Sequence, residues 1–274
     1  MKNALKNLMV VLLFMGVFVI GFPISSVSSL TIVLDPGHGG NSSGCCYKYN
    51  NDTVKEKDLN YKIASFMKNE LSKYKSKDGK KVNVHLTHNN LSNPTISERI
   101  DSAVKVKAAV LISLHNNASP SSDCNYRGAM ALVTGSNFNN KYKIEEKLAK
   151  CILNELNKIG LQTQSKDNIL GKAKNTGGLL RRLSDDKTTY PNGDTTDWYG
   201  IVRQGILKNV PSILIEHAYL SNEKDYTEFI STDNKLKLIA KANTTALAKY
   251  YGLILNNDLT DKKSTLNQAK DCSL

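Results

Sequence analysis

The sequence predicts an α/β fold: a single domain built on a mostly parallel twisted sheet, flanked by helices on both faces. Three observations carry this expectation. LTIVL (30–34), AAVLISLH (108–115) and SILIEH (212–217) are apolar runs without polar alternation, as strands covered on both faces require. Between them lie stretches with apolar residues at helical spacing, so strands alternate with helices. No internal repeat or linker divides the chain, and its 274 residues suffice for one sizeable core.

The elements follow in chain order. MKNALKN carries Lys2 and Lys6, LMVVLLFMGVFVIGF is almost wholly apolar, and PISSVSS is small and polar. This order predicts a signal peptide over residues 1–28, cleaved after Ser28. The competing reading is an uncleaved anchor, for which the apolar run is short; only in that case does the protein meet a membrane. Either way the body acts outside the cytoplasm. The folded domain is expected over 29–252, followed by a polar tail over 253–274.

Within the domain, LTIVL gives a buried strand and the Asn-, Ser- and Gly-rich stretch 41–54 a loop. Leu59, Ile63, Phe66, Met67 and Leu71 predict a helix from Lys55 to about Tyr74. KKVNVHLTH (80–88) alternates as a strand with Val82, Val84 and Leu86 inward. A helix over 95–107 uses Ile96, Ile100, Ala103 and Val104. The strand 108–115 follows, then GAMALVTG (128–135) and a helix over 142–159 with Cys151 on its apolar face. Residues 160–196 read as an irregular polar stretch in which only GGLLRRL (177–183) is strand-like. Asp197 is expected to open a helix that Asn209 and Pro211 stop. SILIEH is the last buried strand. Helices near 222–230 and over 234–251 complete the fold.

Charge and cysteines narrow the partners. The chain has 37 Lys and Arg against 25 Asp and Glu, net +12; without Lys2 and Lys6 the balance is +10. A basic protein suits polyanions. Export argues against nucleic acid as the partner; an anionic envelope polymer or glycan fits better, with basicity that only keeps the protein soluble as the equal alternative. The five cysteines make no dense disulfide framework. Cys151 is expected in the core. A bridge from Cys45 or Cys46 to Cys124 is expected to fix the rim of the site described next.

His38, in the turn LDPGHGG, follows the first buried strand. His115 ends the second and Glu216 ends the third. Open α/β sheets bind ligands beyond the carboxyl ends of their strands, so parallel neighbours bring these side chains into one crevice. Glu56, in the first turn of its helix, is a fourth candidate. Two imidazoles and a carboxylate make a mononuclear zinc set with a position left for water, leaving Glu216 as general base. The bland alternatives are a solvated first-turn acid for Glu56 and a core histidine for His115. For Glu216 they are weaker, because an acid after SILI is costly to bury without a role.

Four blocks in order, IVLDPGHGG (32–40), KEKDLNYKIA (55–64), LISLHNNAS (111–119) and PSILIEHAYLSN (211–222), closely resemble the zinc-dependent N-acetylmuramoyl-L-alanine amidases of bacterial cell walls. The likeness runs from about Leu30 to Tyr251. It implies one zinc ion held by His38, Glu56 and His115, catalysis by Glu216, and peptidoglycan as substrate, cut between the lactyl group of N-acetylmuramic acid and L-alanine. Each histidine should donate its second ring N–H to a neighbour, with Asp35 a candidate. His217 should face away from Glu216. Arg181, Arg182, Asp185 and Asp186 lie near the expected groove, where they either read an anionic stem peptide or form a solvated loop. Arg203 has no assigned role. The competing functions are a zinc peptidase cutting within the stem peptide and a peptidoglycan-binding protein without catalysis.

Overall fold

The computed structural model describes residues 29–119, 125–164 and 174–257. The expected signal peptide, Cys124, Cys272 and most of the tail lie outside the described residues. The elements are β1 (Thr31–Pro36), β2 (Cys46–Tyr49), β3 (Asp52–Lys55), α1 (Glu56–Leu71), β4 (Tyr74–Lys75), β5 (Asn83–Leu86), α2 (Ile96–Lys105), β6 (Val110–Asn117), β7 (Met130–Leu132), α3 (Lys141–Lys158), β8 (Lys174–Thr176), β9 (Leu179–Arg181), α4 (Gly200–Leu207), β10 (Ser212–Tyr219), α5 (Glu223–Asp225), α6 (Asp233–Tyr251) and β11 (Ile254–Leu255). A single π-helical turn, Tyr226–Ile230, follows α5.

Seven strands form the central sheet in the order β5-β1-β6-β10-β7-β9-β8. β1 runs parallel to both β5 and β6, and β10 parallel to β6. β7 is antiparallel to β10, and β8 to β9, so the sheet is mixed but mostly parallel. Strand alternation sends Ile32, Leu34, Ile213 and Ile215 into one apolar layer with α1, α3 and α6. Val33, Leu111 and Leu214 enter the other, under α2 and α4. Covering both faces explains why these strands show no polar alternation.

The helices obey their local signals. Thr95 caps α2 through a capping box with Glu98, which satisfies two of the first-turn N–H groups left over in any helix. Gly252, at φ 63°, closes α6 in the left-handed region.

Several expectations need correction. The 41–54 loop contains an antiparallel hairpin, β2–β3, whose side chains are mostly exposed and so left no apolar pattern. Tyr49 stacks on Tyr226 at 3.6 Å and fastens this hairpin to the turn after α5. Asp197 does not open a helix. Its carboxylate is buried, accepting from Thr134 Oγ1, Gly135 N and the Tyr190 hydroxyl, and α4 starts at Gly200. The fold also continues past residue 252: Leu253 is buried and β11 pairs with β4.

Candidate metal centre

Each candidate residue is delivered by a different element to the carboxyl edge of the sheet. β6 and β10 are in register with His115 beside Glu216, so both side chains leave the same face of the sheet. β1 ends in the Pro36–Gly40 turn, where His38 sits at φ 66°, a left-handed conformation uncommon for residues other than glycine. Glu56 is the first residue of α1, and the β2–β3 hairpin swings it back over the edge.

Three of the four side chains meet. His38 Nε2 lies 3.1 Å from Glu56 Oε2, and His115 Nδ1 lies 2.9 Å from Glu56 Oε1. The two rings stand edge to face with centroids 5.1 Å apart. Two glycines make room for this. A Cβ on Gly37 would collide with the His115 ring, and one on Gly44 would collide with the Glu56 carboxylate and the His38 ring.

Glu56 is buried and gripped. Both oxygens accept hydrogen bonds: Oε2 from Cys45 N at 2.9 Å, and Oε1 from Asn60 Nδ2 at 3.2 Å and Asn116 N at 3.3 Å. Burial opposes its ionisation, yet the hydrogen bonds from His115 and His38 prevail and hold the carboxyl well below its usual range. Burial likewise works against protonating His115, and the Glu56 carboxylate overcomes it, raising the proton affinity of the ring. This is an ionised carboxylate facing two imidazoles with their nitrogens turned inward. One ligand atom from each of His38, Glu56 and His115 lies within 4.8 Å of the others. Two nitrogens and a carboxylate oxygen at that spacing suit a catalytic zinc ion. His38 Nδ1 points to Ser42 Oγ at 3.1 Å, which fixes that ring.

Glu216 stands next to this cluster without joining it. The residue is half-buried, and its Oε2, out of reach of solvent, has no hydrogen-bond partner among the described residues. Burial is the main cause pushing its carboxyl up to about 7; the His115 ring opposes this and the Glu56 charge adds to it. A cavity of about 360 Å³ opens beside the cluster, reaching His38, His115, Tyr199, Ile96 and Leu214.

The neighbouring expectations fare unevenly. His217 does face away: its Nδ1 donates to His115 O at 2.9 Å, its Nε2 accepts from Asn243 at 2.7 Å, and burial drives its proton affinity down to about 4. Asp35 does not orient a metal-binding ring. It accepts from Arg99, Thr87 and Ser113. The rim bridge is absent, since Cys45 and Cys46 are free thiols; Cys45 Sγ rests 3.5 Å from Asn116 O. Cys151 is buried in the core as expected, and it is also disulfide-bonded. Arg181 pairs with Glu146 at 3.1 Å, while Arg182 lies 4.0 Å over the Trp198 ring and 3.7 Å from Asp185. Asp186 accepts from Ser184 and Thr188 within its own loop. Arg203 donates to Asp197 O at 3.1 Å, securing the loop before α4.

Sequence reasoning missed Asn60, Ser42 and Arg99. Asn60 follows Glu56 by one helical turn on the buried side of α1, and Arg99 shares the apolar face of α2 with Ile100 and Ala103. A polar residue on an apolar helical face was the available signal in both cases.

The family model described as N-acetylmuramoyl-L-alanine amidase matches residues 32–249. The N-acetylmuramoyl-L-alanine amidase AmiC of Escherichia coli is 25% identical over 206 residues, 72% of this chain and 47% of that protein. The probable cell wall amidase LytH of Staphylococcus epidermidis is 26% identical over 221 residues, 81% of this chain and 58% of that protein. The chain thus spans about half the length of the curated relatives it matches. Among solved structures, an N-acetylmuramoyl-L-alanine amidase from Clostridium difficile 630 shares the fold, with a TM-score of 0.59 and 21% identity over 82% of this chain and 97% of that one.

Proposed function

We propose, from the premise that this chain belongs to the N-acetylmuramoyl-L-alanine amidase family, that it is a secreted zinc enzyme. Its proposed reaction is hydrolysis of the amide between the lactyl group of N-acetylmuramic acid and the L-alanine of the peptidoglycan stem peptide. The observation that carries this reading is the cluster His38, Glu56 and His115 with Glu216 in register beside it. Metal removal is therefore expected to abolish activity.

A zinc ion in that cluster supplies Lewis acidity toward a carbonyl and acidifies a neighbouring water. The chain's own residues do the rest. Cys45 N, Asn60 and Asn116 N hold the Glu56 carboxylate fixed, so it presents one geometry. Ser42 holds the His38 ring. Glu216 has an unpartnered oxygen and a raised proton affinity, the properties of a general base working near neutral pH. It takes the proton of the attacking water and becomes a neutral acid, then returns that proton to the departing alanine nitrogen and is a carboxylate again. The net charge of +10 after removal of residues 1–28 supports retention on anionic wall polymers.

Digestion of purified peptidoglycan with zinc-loaded protein tests the reading. Free L-alanine amino termini with intact glycan strands are expected. Cuts inside the stem peptide would replace the amidase with a peptidase, and no cleavage would leave a binding protein.

A further inference from the structure

The turn that carries His38 has an unusual hydrogen-bond economy. Its three successive carbonyls are all held by side chains. Pro36 O accepts from Arg99 Nη1 at 2.9 Å and lies 2.7 Å from His88 Nε2. Gly37 O accepts from Asn60 Nδ2 at 3.2 Å. His38 O accepts from Arg99 Nη2 at 2.9 Å. Arg99 therefore grips the turn on both sides of Gly37, and it is the only one of these side chains to hold two of the three carbonyls.

The grip is anchored at every other donor. Arg99 Nη1 also donates to Asp35 Oδ1 at 2.8 Å, and Asp35 is tied to neighbouring segments by Thr87 Oγ1 at 2.6 Å and Ser113 Oγ at 2.7 Å. Nη2 donates to Asn93 Oδ1 at 2.8 Å and Nε to Pro94 O at 3.0 Å. The side chain is only 7% exposed, so these contacts replace nearly all of its hydration. A buried charge so placed is costly unless fully paired. The turn it holds is itself unfavourable, because His38 stands at φ 66°. The conformation that aims His38 Nε2 at Glu56 therefore needs an external brace.

We propose that Arg99 is a positioning residue for the metal centre: its guanidinium fork locks the Pro36–His38 turn and so sets the affinity of the site for zinc. It stands outside the ligand cluster, at the wall of the adjoining cavity, with its fork turned to the backbone of the turn. The planar fork is what the job requires, because it spans two carbonyls and a carboxylate at fixed angles, and an ammonium presents only a point charge. The inference rests on the metal centre proposed above.

Zinc titration against a chelating dye tests it, using the full chain and its Arg99→Lys variant, with no assay of turnover. Loss of a group that orients a metal ligand typically costs about 10–100-fold in affinity, and that loss is expected for Arg99→Lys. Ile152→Val serves as the control for mere destabilisation. Ile152 is fully buried on α3 in the core, so this variant should melt earlier and keep the parental zinc affinity. If Arg99→Lys does not fold, Asn93→Ala is read instead. Asn93 is exposed and its loss frees one arm of the fork; an affinity loss of at least twofold is expected. Parental affinity in the folded variant would overturn the role of Arg99 and leave the metal centre standing. A parent protein that binds no zinc would overturn both.

Discussion

Replacing Glu216 by glutamine should make the metal-free protein more stable while disabling it. In the native fold the carboxyl is buried beside Glu56, and burial raises it from an ordinary 4.5 to about 7. The folded state then binds the proton more tightly than the unfolded chain. Stability conferred by this group is therefore full below pH 4.5 and is lost as pH rises through about 7. At about 1.4 kcal/mol per pH unit, the loss approaches roughly 3 kcal/mol above neutrality. Glutamine keeps the shape and never ionises, although its buried amide also lacks a partner, which trims the gain to about 1–2 kcal/mol. For a domain of this size that is a rise of about 3–6 °C in melting temperature. Thermal melts in chelator between pH 4.5 and pH 8 measure it. The gain should grow with pH and turn into a small loss at the acid end, where only the cost of the unpartnered amide remains. Turnover of zinc-saturated Glu216→Gln on peptidoglycan should fall by about 10²-fold or more. An unchanged or lower melting temperature at pH 8 would show that Glu216 is not an uncompensated buried acid. Near-parental turnover would show that it is not the base.

Four other outcomes follow from the same structure. Gly44→Ala should weaken zinc binding by more than about 10-fold in a dye competition, because the new methyl displaces Glu56 from its place in the ligand cluster. Glu145→Gln should lower unfolding free energy in denaturant at pH 4.5 by about 1–3 kcal/mol, since one of the two backbone N–H groups on that carboxyl would face an NH₂ instead; burial pushes this carboxyl up to about 8, so the loss should shrink as pH rises towards that value. Thiol labelling followed by peptide mass analysis should modify the exposed Cys46 rapidly in the native protein and the half-buried Cys45 only slowly; one of the two resisting label in the unfolded protein until reductant is added would restore the rim bridge. Adding zinc to chelated protein should raise its melting temperature with zinc concentration, by RT ln(1 + [Zn]/Kd) in free energy, and His38→Ala should remove that dependence.

The sequence exposed those features whose cause is local. The apolar strands, the α2 capping box and the positions of His38, His115 and Glu216 at strand ends follow from periodicity and from the rule that parallel sheets bind ligands at their carboxyl edge. The candidate cluster was legible because three buried strands each lead to a polar residue at the carboxyl edge of the sheet, while Glu56, an ordinary first-turn acid by itself, stood out only in their company. The hairpin β2–β3 was hidden because its side chains are mostly exposed and bury no stripe. Asp197 imitated a helix start, since an acid ahead of an apolar run looks the same whether it caps a helix or, as here, binds Thr134 and Tyr190 far away in sequence or across a loop. Arg99 and Asn60 show the same limit. Arg99 reaches back to His38 across 61 positions and Asn60 to Gly37 across 23, and no pattern along the chain marks such partners.

Hydrolysis of purified peptidoglycan in ¹⁸O-enriched water tests the central claim most directly, because it locates both the bond cut and the atom that attacks. A zinc-dependent amidase places one ¹⁸O in the lactyl carboxylate left on N-acetylmuramic acid and none in the peptides that now begin with L-alanine. Label in a carboxylate within the stem peptide, or release without label, would contradict it.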